Sequence, residues 1–147
     1  MAEEIKVNEQ YCGFKVGNDY FAISVLKVQE IIRSQQLTTI PKAPRVIKGL
    51  INLRGQIVTA VSLRSMFELE DIVSDTHMNI IVQLGEDLYS IIVDEILDVI
   101  EVSPETYEAT PDNIDSRFSN FITGVHKLKD KLLIILDLDK VLAMDNV

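Results

Sequence analysis

The segment VGNDYFAISVLKVQEII at residues 16–32 returns in altered form as LGEDLYSIIVDEILDVI at 84–100, an offset of 68. Gly17/Gly85, Asp19/Asp87, Ile23/Ile91, Val25/Val93 and Ile32/Ile100 are identical; Phe21/Tyr89, Val28/Ile96, Glu30/Asp98 and Ile31/Val99 are close in character. A second block, IKGLINL at 47–53, matches ITGVHKL at 122–128 with an offset of 75. That match continues through Ile57/Leu132, Val61/Leu136, Ser62/Asp137, Leu63/Leu138 and Phe67/Leu142. Chance likeness between β-rich segments is the competing explanation, but two matches in the same order favour a duplication. The second copy then carries seven extra residues somewhere within 101–121.

Each copy reads as short strands. Gln10–Val16 and Tyr20–Val25 flank Gly-Asn-Asp at 17–19, and Met78–Leu84 and Leu88–Val93 flank Gly-Glu-Asp at 85–87, both hairpin signals. Val46–Leu53 and Gln56–Val61 flank Arg54-Gly55; Phe121–Leu128 and Lys131–Leu136 flank Lys129-Asp130. Ile57, Thr59 and Val61 alternate, while other runs are apolar on both faces, as barrel cores are. Each copy closes on a short helix, capped by Ser62 or Asp137. Leu63, Met66 and Phe67, like Leu138, Val141 and Leu142, then give one apolar, core-facing stripe. About five strands per copy is the scale of a small antiparallel barrel, and units so small are more stable sharing a core. The sequence therefore predicts one all-β domain over 1–147, with subdomains of about 10–67 and 76–143.

Composition narrows function by exclusion. Hydrophobic residues make up 47% of the chain, enough for a packed interior, and a single cysteine, Cys12, offers neither an internal disulfide nor a cysteine pair for zinc. No apolar run approaches the roughly 20 residues that span a bilayer, and the acidic N-terminus is unlike a signal peptide, so a soluble, cytoplasmic protein is expected. The net charge of −9 argues against electrostatic capture of nucleic acid. Up to Phe67 there are nine Lys/Arg against five Asp/Glu; from Glu68 onward there are five against eighteen. Two halves of opposite charge suit two different partners, though a chance imbalance retained for solubility fits as well.

Catalytic constellations are missing. His77 and His126 stand in no ligand spacing, and His126 falls in a strand where the first copy has Ile51, so a structural role is expected. Cys12 reads as a half-buried structural thiol, and Asp137 with Asp139 as a helix cap and dipole partner. No G-x-S-x-G, P-loop or calcium-loop pattern occurs. The expectation is a binding module with no catalytic residue, metal or cofactor.

The segments LKVQEII (26–32), IPKAPRVIKGLINLRGQIV (40–58), YSIIVDEILDVI (89–100) and ITGVHKLKDKLLIILDLDKVL (122–142) resemble the CheW coupling proteins of bacterial chemotaxis, in order and spacing, from about Gln10 to Ala143. IKG-x-INLRG-x-IV is the most specific part. The resemblance implies two five-stranded SH3-like barrels around a shared core. It also implies a non-enzymatic adaptor that joins the cytoplasmic tips of chemoreceptors to the regulatory domain of a chemotaxis histidine kinase, in arrays at the inner membrane without inserting in it. Receptor contacts fall on the region matching Val25, Val28, Glu30 and Arg54; kinase contacts involve the ends of both barrels and are assigned to no residue. A related adaptor serving another, non-flagellar array is the alternative. Arg54 in a turn offers a planar fork of donors that Glu30 could orient, while Val25 and Val28 supply apolar surface for a receptor helix. Gly49, Gly55 and Gly124 serve backbone geometry. Many members read Pro-Val-x-Asp-Leu-Arg where this chain has TAVSLR, so Thr59 replaces Pro and Ser62 replaces Asp. Ser62 still caps the helix, but a salt bridge from that position to Arg64 is lost.

Overall fold

The computed structural model describes residues 8–70, 76–110 and 112–143. The first copy contains β1 (Glu9–Val16), β2 (Asp19–Ser24), a 3-10 turn (Val25–Lys27), β3 (Val28–Arg33), β4 (Ile47–Leu53), β5 (Gln56–Ser62) and α1 (Leu63–Met66). The second contains β6 (Met78–Leu84), β7 (Asp87–Val93), β8 (Glu95–Val102), a 3-10 turn (Pro104–Thr106), β9 (Tyr107–Ala109), α2 (Ser116–Ser119), β10 (Ile122–Lys127), β11 (Leu132–Leu136) and α3 (Leu138–Val141). The hairpins and both terminal helices lie where the sequence placed them, within a residue or two. Ser62 Oγ accepts from Ser65 N at 3.2 Å, and Asp137 Oδ1 from Asp139 N at 3.0 Å. Both residues are the helix caps expected of them.

Pairing distributes the strands in a way that the repeat did not announce. One sheet has the order β8-β1-β2-β11-β10-β9 and the other β3-β6-β7-β5-β4. Each sheet thus takes its first hairpin from one copy and its remaining strands from the other, so the sequence copies 10–67 and 76–143 are not the spatial units. The reason is steric. β2 has β1 on one edge and β11 on the other, and β7 has β6 and β5, so neither has an edge for the strand that follows it. Only the turn Val25–Lys27, or the single residue Asp94, separates those strands from their successors, which pass directly into the other sheet.

The exchange is two-fold in its register. The parallel pair Thr59↔Tyr89 of β5 and β7 is the repeat equivalent of Ile134↔Phe21 in β11 and β2. Ile31↔Ile80 corresponds likewise to Val99↔Cys12, and both ladders shift register at matching places. Gly17 and Gly85 turn their hairpins at φ +62° and +63°. Thr59 sits between two neighbours, β4 and β7, in the interior of its sheet.

Three clusters form the interior. The largest is shared: Phe14 and Phe21 from one sheet meet Ile80, Val82 and Ile91 from the other, with Phe67 closing over them. Phe21 and Phe67 stack at 5.1 Å between centroids, and Phe118 stands edge-on to Phe67 at 4.9 Å. Each sheet also has a smaller cluster of its own. Tyr11, Ala22, Leu133 and Ile135 in the six-stranded sheet are matched in the five-stranded one by Ile51, Val58, Ala60 and Ile81. Two small barrels around a common core is therefore the architecture.

The symmetry leaves one defect. Ser90 of β7 is fully buried and its hydroxyl has no hydrogen-bond partner among the described residues, whereas its equivalent in the first copy is the buried Ala22. A hydroxyl stripped of water without a partner costs about 1–3 kcal/mol. Ser90→Ala is expected to raise stability by about 1 kcal/mol, read as a higher urea midpoint at unchanged slope, and Ala22→Ser to lower it. A destabilised Ser90→Ala would mean that the hydroxyl is satisfied in solution.

Candidate functional site

Ser24 ends β2 and caps the 3-10 turn, its Oγ accepting from Leu26 N at 3.2 Å. β3 then alternates half-buried Val28, Glu30 and Ile32 with exposed Gln29, Ile31 and Arg33. Across the sheet, β4 and β5 are joined by Arg54-Gly55 at φ +51° and +85°, and Asn52 Oδ1 accepts from Gly55 N at 3.0 Å. A two-residue hairpin of this twist requires positive φ at both central positions. Glycine meets that freely; an arginine there is held against its preference.

The arginine's side chain gives the turn its chemistry. Arg54 Nη1 and Nη2 donate to Glu30 Oε1 and Oε2 at 3.2 and 2.5 Å, a two-pronged pair. The hydrogen bonds from Arg54 hold the Glu30 carboxyl below its ordinary pKa, and Glu30 raises that of the guanidinium. Both stay charged across the physiological range. The Arg54 side chain remains 69% exposed, so Glu30 orients it without covering it. The pair borders an open depression of ≈ 490 Å³, walled by Leu53, Ile57, Ile81 and Leu88 with Glu86 and Asp87 at its rim.

Of the four expected receptor-facing residues, Glu30 and Arg54 are brought together in this way. Val25 and Val28 are elsewhere: both are half-buried and pack against the shared core. The two residues between them, Leu26 and Lys27, are the exposed ones, Leu26 at 91%, and Ile57 beside the Arg54 turn is 60% accessible. Sequence reasoning passed over Leu26 and Ile57. The repeat offered a signal for Leu26: its equivalent is Asp94, so the position is a sheet-to-sheet corner in both copies and not a core site.

Other singled-out residues are buried or shape the backbone. Cys12 is buried, more deeply than expected, and burial raises its thiol pKa, so it stays protonated and unreactive. His126 is buried in β10 as expected. A Cβ on Gly49 would stand 2.5 Å from Thr38 O, and one on Gly124 2.7 Å from Glu108 O, so both glycines admit the close approach of a neighbouring backbone. Among the described residues no three His, Cys, Asp or Glu side chains are grouped to hold a metal ion. The expected loss at Ser62 is made good from elsewhere: Arg64 pairs with Asp94, its Nη2 2.6 Å from Oδ2.

A family model described as the CheW-like domain matches residues 10–146. The chain is 32% identical over 142 residues to the chemotaxis protein CheW of Klebsiella aerogenes, covering 96% of this chain and 86% of that one. It is 33% identical over 147 residues to CheW of Bacillus subtilis, covering 99% and 94%. Among solved structures, the scaffolding protein TtCheW of Thermoanaerobacter tengcongensis superposes with a TM-score of 0.79 at 28% identity, over 88% of this chain and 89% of that one. Paired barrels, the exchanged strands and these matches along nearly the whole length lead to one conclusion: the chain belongs to the CheW-like family.

Proposed function

We propose that the chain is a non-enzymatic coupling adaptor of chemotaxis, binding the cytoplasmic tip of a chemoreceptor on one surface and the regulatory domain of a chemotaxis histidine kinase on another. The single observation that carries the receptor surface is the Arg54–Glu30 pair: a charged fork, fixed by its partner yet exposed, on a turn that would be easier to form with asparagine or glycine. A receptor helix would meet Arg54 through a carboxylate or a helix-terminal carbonyl, with Ile57 and Leu26 as apolar contacts beside the half-buried Val25 and Val28. The kinase takes the ends of the barrels, on residues that stay unassigned. Such an adaptor works in the cytoplasm, at receptor arrays on the inner membrane.

The test is capture of purified chain by immobilised receptor cytoplasmic fragment and, separately, by the kinase regulatory domain. Binding to both, with a ternary complex when all three are mixed, is the expected result. Failure to bind either would sink the reading.

A further inference from the structure

His126 is 3% exposed and occupies the position where the first copy buries Ile51. An imidazole in such a place needs hydrogen bonds, and among the described residues only one of its nitrogens has found one. Nδ1 lies 2.7 Å from Thr106 Oγ1, and that hydroxyl also contacts Ser103 O at 3.0 Å. A carbonyl only accepts, so the single hydroxyl proton of Thr106 goes to Ser103, and Nδ1 must donate to Thr106. Nε2 is then left with its lone pair, and it makes no hydrogen bond among the described residues. Burial disfavours the imidazolium and outweighs the opposing pull of Glu9, so the ring is neutral near pH 7.

The ring lines a cavity of ≈ 300 Å³ together with Glu9, Tyr11, Val102, Pro104 and Tyr107. Tyr11 and Tyr107 flank the imidazole at 5.8 and 5.4 Å between centroids. Both phenol protons are committed: Tyr11 donates to Glu9 Oε2 at 2.5 Å and Tyr107 to Thr123 O at 3.0 Å. The polar residues that line the cavity are therefore a carboxyl group, an imidazole whose second nitrogen is an acceptor, and two phenols with no proton to spare. A ligand must bring donors and positive charge, and 300 Å³ limits it to a small one.

The residues that line the cavity have no like counterparts in the other copy. There Ile51 replaces His126 and Asn79 replaces Tyr11, with Asn79 Nδ2 donating to Arg33 O at 3.1 Å. In place of β9, which supplies Tyr107, the first copy has only the bridge Thr38↔Leu50. Three separate departures from the repeat converge on one pocket. We propose that this pocket binds a primary ammonium group on a short alkyl chain, with Glu9 as counter-ion, the two tyrosine rings as walls and His126 Nε2 as hydrogen-bond acceptor.

The experiment is a ¹H–¹³C NMR titration of the full chain at pH 7.5. One arm uses n-butylammonium chloride and the other the peptide acetyl-Gly-Lys-Gly-amide, which separates a free amine from a lysine side chain as the source. Saturable shifts of the Tyr11, Tyr107 and His126 ring signals in either arm are expected. Affinity should fall about fivefold or more in Glu9→Gln, which keeps an acceptor for the Tyr11 hydroxyl, and about tenfold or more in His126→Phe, with circular dichroism confirming the fold of both. The bound cation should also lower the titration midpoint of His126, which a purely structural histidine would not show. No saturable shift in either arm overturns the proposal. So does equal binding of n-butanol, or an affinity unchanged by Glu9→Gln.

Discussion

Replacing Asp94 by alanine is expected to destabilise the fold by about 3 kcal/mol, the scale seen when one partner of a largely buried ion pair is removed. Asp94 is the single residue between β7 and β8, where the chain leaves one sheet for the other. Its N–H donates to Lys15 O at 3.0 Å, and its Oδ2 accepts from Gly17 N at 2.8 Å, so it anchors the β1–β2 hairpin of the six-stranded sheet. Arg64 Nε and Nη2 reach Oδ1 and Oδ2 at 2.8 and 2.6 Å, which ties in the helix that follows the five-stranded sheet. The side chains are only 15% and 21% exposed, so water offers a poor replacement. Arg64 Nη1 keeps its bond to Glu70 O in the variant, but the guanidinium loses both hydrogen bonds and the ion pair with Asp94. At this chain length the expected loss is roughly 10 °C in thermal midpoint. Asp94→Asn, which retains an acceptor for Gly17, should fall between the two.

The same residue sets a pH dependence of known sign. Burial raises the Asp94 pKa, but the hydrogen bonds from Arg64 and Gly17 and the charge of Arg64 outweigh it, and the net shift is downward. A folded pKa below the unfolded value of about 3.9 gives stability that is present above that value and lost as pH falls through the folded one. The gap between wild type and Asp94→Ala should therefore be full at pH 7 and narrow below about pH 4. Urea titrations at several pH values measure it. A pH 7 difference under about 1 kcal/mol would show that the crossover does not depend on this carboxylate.

Hairpins and helix caps were legible because their signals are local. Gly17-Asn18 and Gly85-Glu86 turn the chain wherever it goes, and Ser62 or Asp137 caps a helix from two or three residues away. Which sheet a strand joins is not local. The period of two says which face of β1 is buried but not whose edge it pairs with, and a duplicated chain offers two chemically similar edges. The crossover lengths decide it, and they follow from β3 and β8 beginning directly after the corners at Val25–Lys27 and Asp94. Arg64 shows the same limit: with Ser62 in place of an aspartate that position offers it no counter-ion, and residues two apart do not face each other on a helix in any case. Its counter-ion lies thirty residues on, at the corner. The cavity beside His126 was illegible because β9, three residues long, is too short to leave a periodic trace. The Arg54–Glu30 pair needed the family resemblance to be singled out, since sequence alone gives no reason to join positions 30 and 54.

Reversing the charge at Arg54 is expected to weaken receptor binding about tenfold or more while leaving kinase binding within about twofold. The guanidinium is exposed and already aligned by Glu30, so a receptor acceptor gains a charge-assisted bond at little ordering cost. A glutamate there removes that bond and repels both the incoming carboxylate and Glu30. Folding is not at risk, since the Arg54 side chain is largely in water and the pair is a surface one. Arg54→Asn isolates the backbone contribution. Asparagine tolerates the left-handed conformation that Arg54 adopts at φ +51°, so the variant should melt about 2 °C higher and still lose receptor affinity. Greater stability with weaker binding is the signature of a position selected for contact and not for the turn. Glu30→Lys combined with Arg54→Glu restores an internal pair of reversed polarity, and should recover only the part of the loss due to repulsion between the two carboxylates. Titration calorimetry against receptor and kinase fragments, with circular dichroism to confirm the fold, distinguishes these outcomes. Normal receptor binding by Arg54→Glu, or equal loss of both partners, would remove Arg54 from the receptor surface.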